Sequence, residues 1–316
     1  MQALLMILSA LFFASMGVCV KLASTNFNSS ELVFYRGLIG VLMMAAYARW
    51  QGTSLRTRYP AMHAWRSVVG VLSLSAWFYS LAHLPLPTAM TLNYMSSIWI
   101  AVFLVGGALL GAVGLQGKPA SGSSPVLPAT GGTLPGQGPL VLAILASFAG
   151  VVMLLRPAID QNQAFAGLIG LLSGLSAAFA YMQVMAIGRL GEPEARTVFY
   201  FAIGTVIVGA FGMLVEGMSP WNWSAAVWLL PIGILASLGQ FAMTKSFSMS
   251  KNHGSTLMVA NLQYCGIVFA ALYSTVFFGD HIPLMGWAGI LLIVASAIGA
   301  TVMRARAAPS APAEEH

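Results

Sequence analysis

The stretch Ala3-Leu4-Leu5-Met6-Ile7-Leu8-Ser9-Ala10-Leu11-Phe12-Phe13-Ala14-Ser15-Met16-Gly17-Val18-Cys19-Val20 carries no charge, and its polar side chains are confined to two serines and one cysteine. At a rise of ~1.5 Å per residue such a run nearly fills the ~30 Å hydrocarbon core of a bilayer, so it predicts a transmembrane helix. Met1 and Gln2 supply no basic n-region, and the run outlasts a signal-peptide h-region, so this helix is expected to be retained.

Nine further apolar runs follow. Together the ten helices are expected near 3–21, 30–48, 66–84, 88–111, 139–155, 164–188, 197–216, 224–248, 254–278 and 283–303. Hydrophobic residues make up 58% of the 316 positions and charged residues 7%, with mean hydropathy +0.83. A soluble domain has roughly 25% charged residues, so the composition places the chain in lipid. The net charge of +6 forms no basic-aromatic run, which argues against a nucleic-acid surface. The basic residues instead sit between apolar segments and read as orientation signals. Arg49, Arg56, Arg58, Arg66, Lys118, Arg189, Arg196, Lys251, Arg304 and Arg306 fall on one side, against Lys21 and Arg156 on the other, which predicts cytoplasmic amino and carboxyl termini.

Residues 112–138 differ in character, with Gly117-Lys118-Pro119-Ala120-Ser121-Gly122 and Thr130-Gly131-Gly132-Thr133-Leu134-Pro135-Gly136 showing neither helical nor strand periodicity. They are expected to form a flexible cytoplasmic linker within the first of two repeats. The first repeat then comprises 1–111 and 139–157 (helices 1–5), the second 164–303 (helices 6–10), and 304–316 is an expected disordered tail. Sliding the chain on itself by about 165 positions places Leu8-Ser9-Ala10 on Leu172-Ser173-Gly174 and Phe34-Tyr35-Arg36 on Phe199-Tyr200-Phe201. A repeat with an odd number of spans enters its second copy from the opposite face. The expected fold class is therefore all-α integral membrane, ten transmembrane helices in two inverted five-helix repeats.

The segments Phe12-Phe13-Ala14-Ser15-Met16-Gly17, Glu31-Leu32-Val33-Phe34-Tyr35-Arg36, Leu92-Asn93-Tyr94, Ala149-Gly150-Val151-Val152-Met153-Leu154-Leu155-Arg156-Pro157 and Phe277-Phe278-Gly279-Asp280 resemble the EamA-like branch of the drug/metabolite transporter superfamily. That resemblance implies a ten-helix carrier with a central cavity bordered by both repeats. Its motifs are specific for the family and hardly at all for the substrate.

Charge in lipid is the sharpest pointer to a site. Arg36 has two readings, an anchor reaching the outer interface or a counter-charge to a substrate carboxylate or phosphate; Lys245 likewise reads as interface anchor or site residue. Lys21 is expected to neutralise Glu31 across a short loop. In helix 4, Asn93, Ser96 and Ser97 share a face, and in helix 9 Asn261, Tyr264 and Cys265 repeat that spacing. They read as interhelical hydrogen bonds or as cavity lining. Trp77, Tyr79, Tyr181, Gln183 and Gln240 are expected to add flat aromatic walls and directional polar groups.

None of the eight carboxylates is expected deep in a span, which speaks against a buried proton relay. A phosphate-cradling loop is absent from the sequence, so ATP drive through this chain is not expected. The five histidines lack metal-ligand spacing and are expected in water; Cys19 and Cys265 read as small hydrophobes. Neither cofactor nor metal is called for.

The expected protein is an inner-membrane transporter of a small organic metabolite, amino acids or related amphiphilic compounds favoured. It is expected to work by alternating access, with the lipid bilayer and a small-molecule substrate as partners, no nucleic acid, and a homodimer left open. Nucleosides, S-adenosylmethionine-like compounds, flavins and drugs are alternative substrates. A receptor or scaffold and an integral membrane enzyme are the rivals from other classes, the latter without the clustered groups that catalysis needs.

Overall fold

The computed structural model describes residues 1–100, 164–250, 253–281 and 283–307, with isolated positions between 102 and 153. All regular elements among the described residues are helical: α1 (Gln2–Ala23), α2 (Ser29–Trp50), α3 (Pro60–His83), α4 (Leu86–Tyr94), α5 (Ala164–Arg189), α6 (Glu194–Glu216), α7 (Trp223–Ala226), α8 (Leu229–Ser248), α9 (His253–Leu262), α10 (Cys265–Phe278) and α11 (Leu284–Ala307). Among the described residues, six helical segments are long and apolar enough to cross a membrane: Gln2–Ala23, Ser29–Trp50, Ala164–Arg189, Glu194–Glu216, Trp223–Ser248 and Met258–Phe278. The expected linker 112–138, most of the expected fifth helix and the tail beyond 307 lie outside the described residues. The last helix runs to Ala307.

Two expected helices are interrupted. In place of one continuous run over 88–111, α4 ends at Tyr94 and helix resumes at Ser96 after a turn at Met95. In place of one run over 254–278, α9 and α10 are separated by a turn at Gln263 and Tyr264. The ladder tightens there: Gln263 N donates to Ala260 O (3.3 Å) and Tyr264 N to Asn261 O (3.1 Å), spacings of the 3₁₀ type. Ser97 Oγ also donates to Ala260 O at 2.6 Å, tying one break to the other. A hydroxyl inserted against a ladder carbonyl is a recognised cause of such a bend.

Helix starts are fixed by short-range chemistry. Asn28 caps α2 by accepting from Glu31 N (2.9 Å), and Glu31 Oε2 accepts from Asn28 N (2.8 Å), a reciprocal capping box. Pro60 stands at the first turn of α3, where its missing N–H is harmless.

The helices pack closely because small residues line their contacts. A Cβ on Gly37 of α2 would collide with Thr205 Oγ1 of α6 and approach the Ala202 carbonyl to 3.0 Å. One on Gly209 of α6 would lie 2.7 Å from Phe34 Cα. Helix α1 packs along α8 and α3 along α5, leaving a small space in the centre of the bundle.

Candidate functional site

Two arginines meet at that centre. The capping box sets the phase of α2 so that Arg36 projects inward, and it is 4% exposed. Its guanidinium carbon lies 5.3 Å from the ring centroid of Phe201 on α6. Arg66 of α3 is 2% exposed, and its guanidinium carbon lies 4.4 Å from the same centroid. Arg36 is thus held within the bundle rather than stretched to an interface. Arg66, counted in the sequence among cytoplasmic orientation charges, is instead a wall of the central space. The helix carrying it begins at Pro60, so Arg66 sits nearly two turns inside.

The central cavity has room of ≈ 40 Å³ for the centres of water molecules and is bordered by Arg36, Arg66, Trp77, Asn93, Tyr181 and Gln240 among others. Phe13 closes another side, its ring edge-on to Trp77 (centroids 6.1 Å apart, 84°). Tyr181 is stacked on Phe247 at 5.3 Å. Asn93 Nδ2 donates to Ser173 Oγ at 3.2 Å, linking α4 to α5. A smaller space of ≈ 10 Å³ shares Arg36, Phe201 and Gln240 and extends toward Ser237.

Five of the expected site residues, Arg36, Trp77, Asn93, Tyr181 and Gln240, therefore border one cavity. The others do not. Tyr79 stacks on His83 (4.2 Å) near the end of α3. Ser97 is occupied with the Ala260 carbonyl, while Asn261 and Tyr264 are buried at the α9–α10 interruption. Gln183 and Lys245 are half-buried on α5 and α8, away from the cavity lining. Phe13, Arg66 and Phe201 are among the lining residues that the sequence did not single out.

The two guanidiniums have no counter-charge among the described residues. Arg36 Nε and Arg66 Nε and Nη1 are buried and donate to no partner. Among the described carboxylates, Glu31, Glu192, Glu194 and Asp280 are engaged elsewhere, and Glu216 is exposed. Glu31 is 1% exposed and accepts from Ser219 N (2.9 Å) and Ser219 Oγ (2.7 Å). Glu194 accepts from Ser248 Oγ at 2.8 Å, and Asp280 from Ser274 Oγ. Lys21 does not neutralise Glu31 as expected; its Nζ lies over the Phe278 ring (4.9 Å) and donates to Leu84 O at 3.5 Å. One buried arginine costs about 2.5–3.5 kcal/mol on insertion scales, and a shared ring returns only about 0.5–2 kcal/mol per cation. The site is therefore poised for an anion.

At the amino-terminal end of α3, close to Arg66, Glu192 Oε2 lies 3.2 Å from His63 Nε2 and accepts from Arg196 Nη1 at 2.8 Å. Arg196 also donates to the Ser54 carbonyl through Nε (3.0 Å) and Nη2 (2.6 Å). His63 is 1% exposed and stacked near Tyr200, so it is not in water as expected. Burial of Glu192 opposes its ionisation, but hydrogen bonds from Arg196 and His63 outweigh that and hold its carboxyl below the usual carboxylate range.

Residues 1–112 match the model of the EamA-like transporter family. In that segment the chain is similar to EamA-like proteins. The resemblance carried by its motifs is borne out, and likeness to named transporters extends well past the matched segment. The chain is 29% identical to the pseudopaline exporter of Pseudomonas aeruginosa (strain UCBPP-PA14), over 93% of this chain and 94% of that protein. It is 23% identical to an uncharacterized transporter of Helicobacter pylori (strain ATCC 700392 / 26695), over 93% of this chain and 92% of the other. It is 23% identical to the riboflavin transporter of Rhizobium johnstonii, over 94% and 89% of the two chains. A solved crystal structure at 16% identity superposes with a TM-score of 0.69 over 97% of this chain and 98% of its own, a likeness of fold. With its apolar helices, the chain is a multi-pass membrane protein similar to transporters.

Proposed function

We propose that this chain is an inner-membrane carrier of a small organic metabolite, an amino acid or related amphiphilic compound, working by alternating access between two inverted five-helix repeats. Both termini then face the cytoplasm. The observation that carries the reading is the place of Arg36. It aligns with Phe201 when the sequence is displaced by about 165 positions, and the two side chains touch. A residue that contacts its own counterpart lies beside the axis relating the two copies, which for inverted repeats runs through the bilayer midplane.

The same displacement relates two further contacts. It turns Glu31 into Arg196 and Ser219 into Ser54, and the structure pairs Glu31 with Ser219 and Arg196 with Ser54. In an inverted arrangement one tie fastens the outer end of the bundle and the other the cytoplasmic end. Release of one with retention of the other is the alternation a carrier requires. In this reading Arg36 receives the substrate's carboxylate, and Trp77 and Phe13 receive its apolar part.

A flavin-like substrate is the second reading, favoured by the likeness to a riboflavin transporter and by the edge-on pair Phe13–Trp77. Purified protein in vesicles tests both. Counterflow of a labelled amino acid or flavin supports the carrier and names the class; chemical turnover without movement supports an enzyme.

A further inference from the structure

The central cavity contains more positive charge than one carboxylate balances. Arg36 from α2 and Arg66 from α3 approach the Phe201 ring, both guanidinium carbons lying within 5.3 Å of its centroid. Both side chains are more than nine-tenths buried, both border the same space, and both keep unpartnered N–H groups. Each guanidinium is a planar fork matched to a carboxylate or phosphate. Their like charges in a low-dielectric site repel until anionic charge enters.

The arginine at 66 is a built feature. A Cβ on Gly70, one turn along α3, would fall on the position of Arg66 Nη1 and lie 2.9 Å from Phe201 Cε2. The absence of a side chain at 70 is what lets the guanidinium fold along its own helix into the cavity. The polar neighbours Asn93 and Gln240 add no charge that would neutralise it.

We propose that the transported compound is a small dianion, one negative charge facing Arg36 and the second facing Arg66. This rests on the carrier reading above and narrows its substrate to acids with two negative charges. Two carboxylates or one phosphomonoester supply the same charge, and the test separates them. Arg66 is then a substrate-binding residue that selects charge.

The test uses the full chain reconstituted in vesicles loaded with a soluble cell-metabolite extract supplemented with N-acetylglutamate, N-acetylglutamine and glycerol 3-phosphate. Solutes retained over time are measured by mass spectrometry against protein-free vesicles. The acid N-acetylglutamate and its amide differ by one charge at nearly equal size. Dianions, from the additions or from the extract, are expected to leave about tenfold or more faster than their monoanionic counterparts. N-acetylglutamate leaving alone identifies paired carboxylates, and glycerol 3-phosphate leaving alone identifies a phosphomonoester.

Arg66→Gln is expected to erase that preference and Arg66→Lys, which keeps the charge, to retain most of it. A monodisperse elution profile for both variants separates this from misfolding. Should monoanions or neutral solutes leave as fast as dianions, or Arg66→Gln discriminate as the parent does, the dianion inference is overturned while the carrier stands. If no solute leaves faster than from protein-free vesicles, the carrier reading fails and the inference with it.

Discussion

Arg36 and Phe201 stand about 165 positions apart in the sequence, and the guanidinium of one lies over the ring of the other at 5.3 Å. The contact sets a cation at the centre of a bundle otherwise built from apolar and small side chains. The second arginine, Arg66, approaches the same ring at 4.4 Å. An anion-attracting centre follows from these two contacts and from the engagement of Glu31, Glu192, Glu194 and Asp280 elsewhere.

Arg36→Gln is expected to abolish movement of an anionic substrate while leaving membrane insertion intact. A lost charge-assisted hydrogen bond is worth about 1.5–3 kcal/mol, which is about ten- to over a hundredfold in flux at limiting substrate. Uptake into vesicles alongside an elution profile checks both parts. Transport at the parent rate would reduce Arg36 to a packing residue.

Phe201→Leu removes the ring shared by both guanidiniums and keeps an apolar side chain. A cation–π contact at a desolvated site contributes about 2 kcal/mol. Lower thermal stability with no bound ligand, partly restored when an anionic substrate is added, is the expected melting behaviour. A melting temperature equal to the parent's would show that the ring does not hold the arginines.

The His63–Glu192–Arg196 cluster gives a pH prediction. The Glu192 carboxyl is held below its ordinary value against burial, by Arg196 on α6 and His63 on α3, with Thr57 adding a further hydrogen bond. Its stabilising effect is complete above the unfolded-state value near 4.5 and is lost as pH falls through the lower folded-state value. Glu192→Gln is therefore expected to lower the melting temperature at neutral pH and to flatten its fall in acid. Parallel melting curves for parent and variant across pH 3–7 would contradict this assignment.

Gly174 of α5 abuts the interruption of α4, where an added Cβ would collide with the Leu92 carbonyl and lie 3.3 Å from the Asn93 carbonyl. Gly174→Leu is expected to slow transport severalfold or more while the protein still inserts and purifies. Normal uptake by this variant would count against movement at the α4–α5 contact.

Much of this was legible from pattern. Apolar runs of spanning length gave the helices, and the isolated charge at Arg36 stood out because nothing nearby in sequence explains it. Arg66 was hidden by the same rule that orients the chain: an arginine just before an apolar run counts as a loop charge. The overlooked signal was Pro60, a first-turn residue that starts α3 six places earlier. Phe201 had no signal of its own, since one phenylalanine among many apolar residues reads as core. The interruptions at Met95 and at Gln263–Tyr264 contain neither proline nor glycine. They arise from contacts between helices, such as Ser97 with the Ala260 carbonyl, and so cannot be read from local sequence.

The inverted relation of the halves is tested most directly by one-sided labelling of single cysteines in oriented vesicles. Ser54→Cys and Met218→Cys, both at exposed positions, are placed separately in a Cys19→Ala/Cys265→Ala background. A membrane-impermeant thiol reagent is expected to reach position 54 only from the cytoplasmic face and position 218 only from the outer face. Labelling of both from the same face would contradict the inverted arrangement and the carrier built on it.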